Sequence, residues 1–260
     1  MIDSWNPEQY EKFKNERSQP FLDLIALVEA RERACFIDLG CGTGQLTRLF
    51  HDSFRFERGR GVDNSANMIG KAQTQSTSTL EFQMEDLTTF LAPNSYDVIL
   101  SNAAIQWCSD HPKIFSNIRQ SLKSGGQIAV QMPMNHDYPS HVVAARVAQG
   151  ERFAKYLDAT ETQSKTSSML KPEDYATLLF ALGFKRQKVF VNVYAHVLES
   201  RDGVIEWVKG TMLTHYQTRM PPAVFQEFLT EYRRELFTEL ADTRPFFYPF
   251  KRILIWASLS

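Results

Sequence analysis

The segment ACFIDLGCGTGQLT, from Ala34 to Thr47, decides the fold of this 260-residue chain. Its first apolar residues, Cys35 to Ile37, are typical of a short buried strand in a parallel sheet. Three glycines follow within a few positions: Gly40, Gly42 and Gly44. Glycine permits backbone conformations that other residues avoid, and free amide groups at the start of a helix suit polar or anionic ligand groups. We therefore predict a strand, a glycine turn and a helix beginning at Gln45, with a ligand at the turn.

The pattern around the glycines excludes two common nucleotide loops. Gln45 stands where a dinucleotide-binding loop has its third glycine, which argues against a nicotinamide-dependent oxidoreductase. No Gly-Lys-Ser/Thr triplet follows, so the segment is not a P-loop. Instead, Asp38 precedes the glycines and Asp63 ends the next apolar segment, Gly61 to Asp63. A carboxylate about 20 residues beyond such glycines is placed to accept a hydrogen bond from a ribose.

Three short motifs occur in order: DLGCGTG at 38–44, GVD at 61–63 and MEDL at 84–87. Together they resemble the class I S-adenosylmethionine-dependent methyltransferases. The resemblance implies an α/β fold with a Rossmann-like, mostly parallel seven-stranded sheet in the order 3-2-1-4-5-7-6. It also implies helices on both faces of the sheet, an antiparallel last strand and S-adenosyl-L-methionine as the cofactor. The implied cofactor-binding residues are Asp38, Gly40, Gly42, Gly44, Asp63, Asn64, Met68, Asp86, Leu87 and Asn102.

Some of these assignments have a structural alternative, and the glycines could form no more than a tight turn. Asp38 could cap its own loop, and Asp86 could cap a helix instead of accepting from the adenine amino group. Met68 could fill the core rather than contact the adenine, as methionines on helix faces usually do.

The acceptor site is predicted directly after the fourth strand, Tyr96 to Ser101. The segment that follows, Asn102 to Trp107, should face the glycine loop at the switch point of the sheet. Its Ile105-Gln106-Trp107 resembles a motif of small carboxylic acid methyltransferases, which implies that Gln106 and Trp107 hold the acceptor carboxylate. An amide N–H₂ and an indole N–H are both neutral donors. The alternative is that Trp107 is a buried aromatic residue and Gln106 a surface residue.

The same segment contains no general base, since it lacks His, Glu and Lys. A carboxylic acid has a pKa of about 4 and is already ionised at neutral pH, so it needs no base. A hydroxyl or amine acceptor would usually need one. The composition of the segment therefore favours an acid as the substrate.

Further motifs extend the resemblance to the trans-aconitate methyltransferase family. They are WNPxxYxxFxxERSxP at 5–20, QMPxNxxxPxH at 131–141, YxH at 194–196 and WVxxT at 207–211. The resemblance implies an N-terminal lid at 1–29, with a packing helix as the alternative. It further implies a core at 30–133, 171–197 and 245–260, and a helical substrate cap at 134–170 and 198–244. The implied substrate-binding residues are Trp5, Tyr10, Arg17, His141, Tyr194 and His196.

The chain departs from that family at two places. Met134 stands where the family has an acidic residue, and Met212 to His215 stand where it has an arginine that suits a second carboxylate. Arg17, Arg219 or Arg252 would have to supply this charge. Two rival functions remain: a malonyl-acyl-carrier-protein methyltransferase of biotin synthesis, which shares the IQW motif and a KGT stretch at 209–211, and a cofactor-binding regulator without turnover.

Composition sets the remaining expectations. The formal net charge is −1 and no basic run exceeds two residues, which argues against a nucleic-acid partner. No signal peptide and no run of about 18 apolar residues occurs, so we expect a cytoplasmic protein that does not enter the membrane. The three cysteines show neither a disulfide framework nor metal-ligand spacing, and no metal is expected. The predicted partner is a small carboxylic acid, with the oligomeric state left open.

Overall fold

A seven-stranded sheet forms the centre of the protein. The computed structural model describes residues 14–157 and 169–260, with side chains from residue 18 onward. The strands are β1 (Cys35–Leu39), β2 (Arg58–Asp63), β3 (Leu80–Met84), β4 (Tyr96–Asn102), β5 (Leu122–Pro133), β6 (Arg186–Leu198) and β7 (Phe246–Ser258). Their order is β3-β2-β1-β4-β5-β7-β6. Neighbours from β3 to β5 are parallel, whereas β7 runs antiparallel to both β5 and β6. The predicted fold class and strand order are therefore confirmed.

Helices connect and cover the strands. They are α1 (Lys14–Ile25), α2 (Gln45–Phe54), α3 (Ala66–Ala72), α4 (His111–Ser121), α5 (Pro139–Ala148), α6 (Glu151–Ala154), α7 (Pro172–Ala181), α8 (Asp202–Lys209), α9 (Met212–Gln217) and α10 (Pro222–Glu239). Short 3₁₀ turns follow α3 at Gln73–Gln75 and β4 at Ile105–Trp107. None of the helices in the described part of the chain is long and apolar enough to cross a membrane.

The central strands are buried on both faces because successive side chains point to opposite sides. On β1, Phe36 belongs to a core that includes residues of α1, α2 and α3, while its neighbour Ile37 belongs to a core that includes residues of α4 and α7. Val98 and Ile99 on β4 divide in the same way. Helices therefore cover both faces, as predicted.

A third apolar core lies among the remaining helices. It combines α5, α6, α8, α9 and α10 with the inward residues of the start of β7, and we call these five helices the helical unit. The sequence predicts one helix from Asp202 to Met212, and this prediction is wrong, since α8 ends at Lys209 and α9 begins at Met212. Between them, Thr211 has a non-helical backbone (φ −138°, ψ −100°) that breaks the helix.

Helix α1 packs on the sheet even though it contains Pro20. From the sequence, Pro20 is predicted to interrupt a helix, because proline lacks an N–H and clashes with the preceding turn. The side chains of Phe21 and Leu24 are fully buried, and this burial outweighs the lost backbone hydrogen bond. The Tyr194 hydroxyl on β6 donates to Asp23 Oδ2 at 2.7 Å. Burial, and then the Asp23 carboxylate, raise the pKa of Tyr194 to about 12, so this donor stays protonated at neutral pH.

We expect Tyr194→Phe to lower the free energy of unfolding by about 1–3 kcal/mol, because it removes a hydrogen bond to a charged group. Asp23→Asn should lower it as well, and the double variant should lose less than the sum of the two single losses. Urea denaturation of the three variants measures this coupling. Strictly additive losses would show that the contact does not hold α1 on the sheet.

Candidate cofactor and acceptor site

The glycine loop between β1 and α2 has a left-handed backbone at all three glycines. The φ values are 82° at Gly40, 55° at Gly42 and 77° at Gly44. A Cβ atom on Gly40 would overlap the Cβ atom of Ala104, and one on Gly44 would lie 2.8 Å from the Phe82 ring. A Cβ atom on Gly42 would meet no atom within 4 Å. Two of the glycines are therefore needed for both conformation and space, and the third for conformation alone.

The amide groups of this loop are largely occupied. Gly40 N and Cys41 N donate to Val62 O at 2.8 and 2.9 Å. Gly42 N donates to Asp63 Oδ2 at 3.0 Å. The amides of Gly40, Cys41 and Gly42 therefore hold the loop against the end of β2. The prediction of free amides concerns the start of α2, at Gln45, and stays a prediction.

Asp63 lies at the end of β2 and is half-buried. Its Oδ2 accepts from Gly42 N, and its Oδ1 accepts from Ser65 N at 2.9 Å. Asp63 is thus held against the glycine loop, with its carboxylate at the end of β2. The next residue, Asn64, is exposed beside it.

Asp38, at the end of β1, is only 3% exposed. Its Oδ2 accepts from Thr47 Oγ1 at 2.6 Å, while its buried Oδ1 has no hydrogen-bond partner among the described residues. Burial raises the pKa of this carboxyl to about 7, and the nearby Asp63 charge adds to the rise. A buried acceptor left open in this way fits a donor supplied by a ligand.

The remaining predicted cofactor residues lie after β3, on α3 and at the end of β4. Asp86 is exposed, and its Oδ1 accepts from the Thr88 amide and hydroxyl at 2.8 and 2.7 Å. Asp86 therefore caps a turn with Oδ1, and its Oδ2 takes no part in that turn. Met68 is 6% exposed in the first turn of α3. Leu87 lies close to the glycine loop, its Cδ2 being 3.9 Å from the position of a Cβ atom on Gly40.

These groups share one edge of the sheet, because β3, β2, β1 and β4 are adjacent and parallel. Asp63 and Asn102 end β2 and β4, Asp38 is the last residue but one of β1, and β3 leads into Glu85 and Asp86. The edge carries carboxylates, apolar side chains and a tight glycine loop. This donor and acceptor set fits S-adenosylmethionine, which combines a ribose, an adenine and a cationic amino group.

The predicted acceptor segment forms the 3₁₀ turn Ile105–Trp107 at the same edge. Ala103 begins it with a left-handed backbone (φ 55°), which is uncommon for a residue other than glycine. Gln106 Nε2 donates to Ala103 O at 2.7 Å, and the buried Gln106 Oε1 has no partner within the described part of the chain. Gln106 is half-buried rather than at the surface, and one of its two amide hydrogens already supports the turn. Trp107 is half-buried as well.

Asn102, at the end of β4, is linked to a buried arginine. Gln131 Nε2 donates to Asn102 Oδ1 at 3.3 Å, and Arg252 Nη1 donates to Gln131 Oε1 at 2.9 Å. Arg252 is 5% exposed and Gln131 is fully buried. Arg219 lies elsewhere, two residues after the end of α9, and donates to His215 O at 2.9 Å. Of the arginines considered for a second carboxylate, Arg252 is thus connected through hydrogen bonds to the end of β4.

The predicted substrate residues have different surroundings. The Tyr194 hydroxyl donates to Asp23 of α1. The centre of the His196 ring, on β6, lies 4.5 Å from that of the Trp207 ring on α8. Burial lowers the pKa of His141 to about 4, so its imidazole is neutral at pH 7, and His141 Nδ1 lies 3.1 Å from Ser140 Oγ. Trp5, Tyr10 and the side chain of Arg17 lie outside the described residues.

His141 also lines a cavity of about 370 Å³ between α5, α9 and the segment after β5. Its walls are His136, His141, Val142, Ala145, Arg146, Gln149, Met212 and Tyr216. Arg146 at this cavity pairs with Glu239 at 2.8 Å.

Sequence reasoning missed three contributors to the site: Thr47, Ala104 and Gln131. A polar residue within the apolar strand QIAVQM could have pointed to Gln131, since buried amides need partners. Neither Thr47 nor Ala104 carries a comparable signal, because each matters only through a contact with another segment.

Comparisons with known proteins show the family to which this chain belongs. The methyltransferase domain family matches residues 37–130, which run from β1 into β5. A trans-aconitate 2-methyltransferase of Deinococcus radiodurans is 38% identical over 98% of this chain and 98% of its own length. One of Streptomyces avermitilis is 35% identical over 97% and 96%. The chain belongs to the trans-aconitate 2-methyltransferase family. It is an S-adenosylmethionine-dependent methyltransferase, as predicted.

Solved structures agree on the fold. The YcgJ protein from Bacillus subtilis superposes with a TM-score of 0.61 at 16% identity, covering 93% of this methyltransferase and 98% of that chain. Phosphoethanolamine N-methyltransferase 2 of Haemonchus contortus, solved with S-adenosyl-L-methionine, superposes with a TM-score of 0.54 at 17% identity, covering 93% and 52%. Similarity at this level of identity supports the architecture and not the acceptor.

We expect Gly40→Ala to abolish cofactor binding and to destabilise the fold, because its Cβ would press the loop away from Ala104. Gly42→Ala is the matched control: it meets the same backbone penalty of about 1–2 kcal/mol but no overlap. Thermal unfolding and titration with S-adenosylhomocysteine measure both effects. Similar losses in the two variants would show that the contact with Ala104 is unimportant.

We also expect the unfolding free energy of the cofactor-free protein to depend on pH through Asp38. Because the folded-state pKa is raised from about 4 to about 7, the folded state holds this proton more tightly than the unfolded chain. The contribution is fully present below pH 4 and is lost as the pH rises through 7, by roughly 2–3 kcal/mol between pH 5 and pH 8. Asp38→Asn should lack this decline in urea denaturation at the two pH values. The same decline in both proteins would contradict the assignment.

Proposed function

We propose that this methyltransferase methylates a carboxylate of a small organic acid, with trans-aconitate or a close analogue as the acceptor. The observation that carries the proposal is the near full-length similarity to proteins named trans-aconitate 2-methyltransferase. The acceptor turn agrees with it, since residues 102–107 offer hydrogen-bond donors and no general base.

S-adenosylmethionine, when bound, supplies an electrophilic methyl group on a sulfonium sulfur. An acceptor carboxylate oxygen would take this methyl group, and the electron pair of the broken carbon–sulfur bond would stay on sulfur. No proton moves, because the acid is already ionised at neutral pH. The protein therefore has to align the acceptor oxygen and exclude water, which is mainly a matter of positioning.

Gln106 and Trp107 are suited to that positioning. The second amide hydrogen of Gln106 and the indole N–H of Trp107 are neutral donors, and they hold a carboxylate without the strong pairing of a lysine or arginine. The bond from Gln106 Nε2 to Ala103 O fixes the direction of the amide. The acceptor oxygen thus keeps electron density for attack.

We assign the cofactor contacts by position along the edge of the sheet. Asp63 accepts from the ribose hydroxyls, and Asp86 with the Leu87 amide holds the adenine, against which Met68 packs. Asp38 faces the cationic amino group with its open Oδ1. The glycine loop, Asn64 and Asn102 complete the enclosure.

We further propose that the helical unit is the substrate cap and that residues 1–29 form a lid over the site. The cavity of about 370 Å³ lies between two cap helices and is within the size range of small-molecule sites. Because its imidazole is neutral, His141 can donate to a carboxylate without strong ion pairing. The core then comprises 30–133, 171–197 and 245–260, and the cap 134–170 and 198–244.

A radiolabelled-methyl assay across tricarboxylic acids, dicarboxylic acids, fatty acids and malonyl thioesters tests the substrate class. We expect base-labile methyl ester from trans-aconitate-like acids. Transfer only to a malonyl thioester would support the carrier-protein rival, and cofactor binding without any transfer would support a regulator.

Gln106→Ala and Trp107→Phe should each lower kcat/KM for the acid by about 10- to 100-fold, because each removes one donor to an anionic oxygen. The dissociation constant of S-adenosylhomocysteine should stay within about threefold. Equal losses of methyl transfer and cofactor affinity would count against the acceptor role.

A further inference from the structure

A buried chain of hydrogen bonds runs from β7 to the acceptor edge of the sheet. Arg252 Nη1 donates to Gln131 Oε1 at 2.9 Å, and Gln131 Nε2 donates to Asn102 Oδ1 at 3.3 Å. The three residues belong to three neighbouring strands, β7, β5 and β4, and Asn102 is directly paired with Gln131 in the sheet. The backbone oxygen of Gln131 also accepts a hydrogen bond from Ala103 N at 2.9 Å. One residue thus holds both the side chain and the main chain at the start of the acceptor turn.

The donor-to-acceptor direction of these hydrogen bonds follows from the chemistry of the groups. A guanidinium group has only donors, so Gln131 must turn its oxygen toward Arg252. The Gln131 nitrogen then points to Asn102, which must accept with Oδ1. The Nδ2 group of Asn102 is thereby left as a donor. An amide that could otherwise rotate by half a turn is held in one orientation by the arginine.

We propose that Arg252, acting through Gln131, is a positioning residue that makes the Asn102 side chain a hydrogen-bond donor to a carboxylate oxygen of a bound ligand. That oxygen belongs either to the acceptor acid or to the amino-acid end of the cofactor. The acceptor case rests on the proposed function, whereas the cofactor case does not. Neither Arg252 nor Gln131 needs to touch the ligand.

The buried positive charge of Arg252 strengthens the hydrogen bonds that lead to Asn102. Arg252 is 5% exposed and lies with its guanidinium 4.9 Å from the centre of the Phe250 ring. A charged donor polarises the amide to which it is bonded, and that amide in turn polarises the next. The Asn102 N–H₂ group becomes a better donor toward an anionic oxygen for this reason. This placement also explains how an arginine far along the chain contributes to the site without direct contact.

Gln131→Glu tests the direction of the chain while keeping its shape. The glutamate pairs with Arg252 but cannot donate, so Asn102 must turn its Nδ2 toward residue 131 and present Oδ1 to the ligand. We expect a loss in affinity of about 10- to 100-fold for the ligand whose carboxylate Asn102 binds, with the unfolding temperature unchanged or raised. Titration with S-adenosylhomocysteine, and with trans-aconitate on the protein saturated with S-adenosylhomocysteine, measures both ligands without turnover. The ligand that weakens identifies the carboxylate.

Gln127→Glu is the matched control, in the same strand but away from the acceptor edge. Gln127 Nε2 donates to Glu29 O at 2.7 Å, and its Oε1 accepts from Trp256 Nε1 at 2.9 Å. This variant should lose stability and keep both affinities. Unchanged affinities in a folded Gln131→Glu protein would overturn the proposal.

Arg252→Met and Arg252→Lys provide a second comparison that does not depend on Gln131→Glu folding. The methionine removes the donor and should weaken the same ligand by about 3- to 10-fold, whereas the lysine restores a donor and should recover most of the affinity. A methionine variant that binds both ligands like the wild type would overturn the proposal. If the wild type binds no trans-aconitate, the proposed substrate fails, and the S-adenosylhomocysteine titration alone then decides the inference.

Discussion

The close approach of Gly40 to Ala104 is the constraint on which the site depends. Gly40 belongs to the glycine loop proposed to hold the cofactor and Ala104 to the turn proposed to hold the acceptor, and there is no room for a side chain between them. Gly40 and Ala103, which precedes Ala104, both have positive φ values. A methyl group passes directly from donor to acceptor, so the two binding elements have to be adjacent. This contact achieves that within the backbone itself.

The parallel arrangement of the strands gathers the polar groups. Asp63 and Asn102 end their strands, Asp38 lies one residue before the end of β1, and the three strands are neighbours. The apolar residues before them are buried between two layers of helices and fix the position of each strand along its axis. The polar groups are therefore held at the same end of the sheet without needing to bond to one another. The antiparallel β7 then adds Arg252 from the far end of the chain.

Two buried ionisable groups lie beneath this edge and act in different ways. The pKa of Asp38 is raised by burial, and its open oxygen suits a cationic donor. Arg252 stays charged and directs a chain of amides. Buried charges are expensive, so their presence at a binding edge points to a role in ligand orientation.

The sequence by itself predicted the strand order and the cofactor, through motifs that resemble those of class I methyltransferases. Glycine spacing, strand-end aspartates and apolar runs are local signals, and they can be recognised without knowledge of distant contacts. Only the tertiary structure decided that the loop amides are occupied by β2, that Pro20 lies inside a helix, and that Tyr194 holds α1. It also decided that Arg252 reaches Asn102 through Gln131, because β7 runs antiparallel beside β5 and a pairing across 121 residues leaves no periodic trace in the chain.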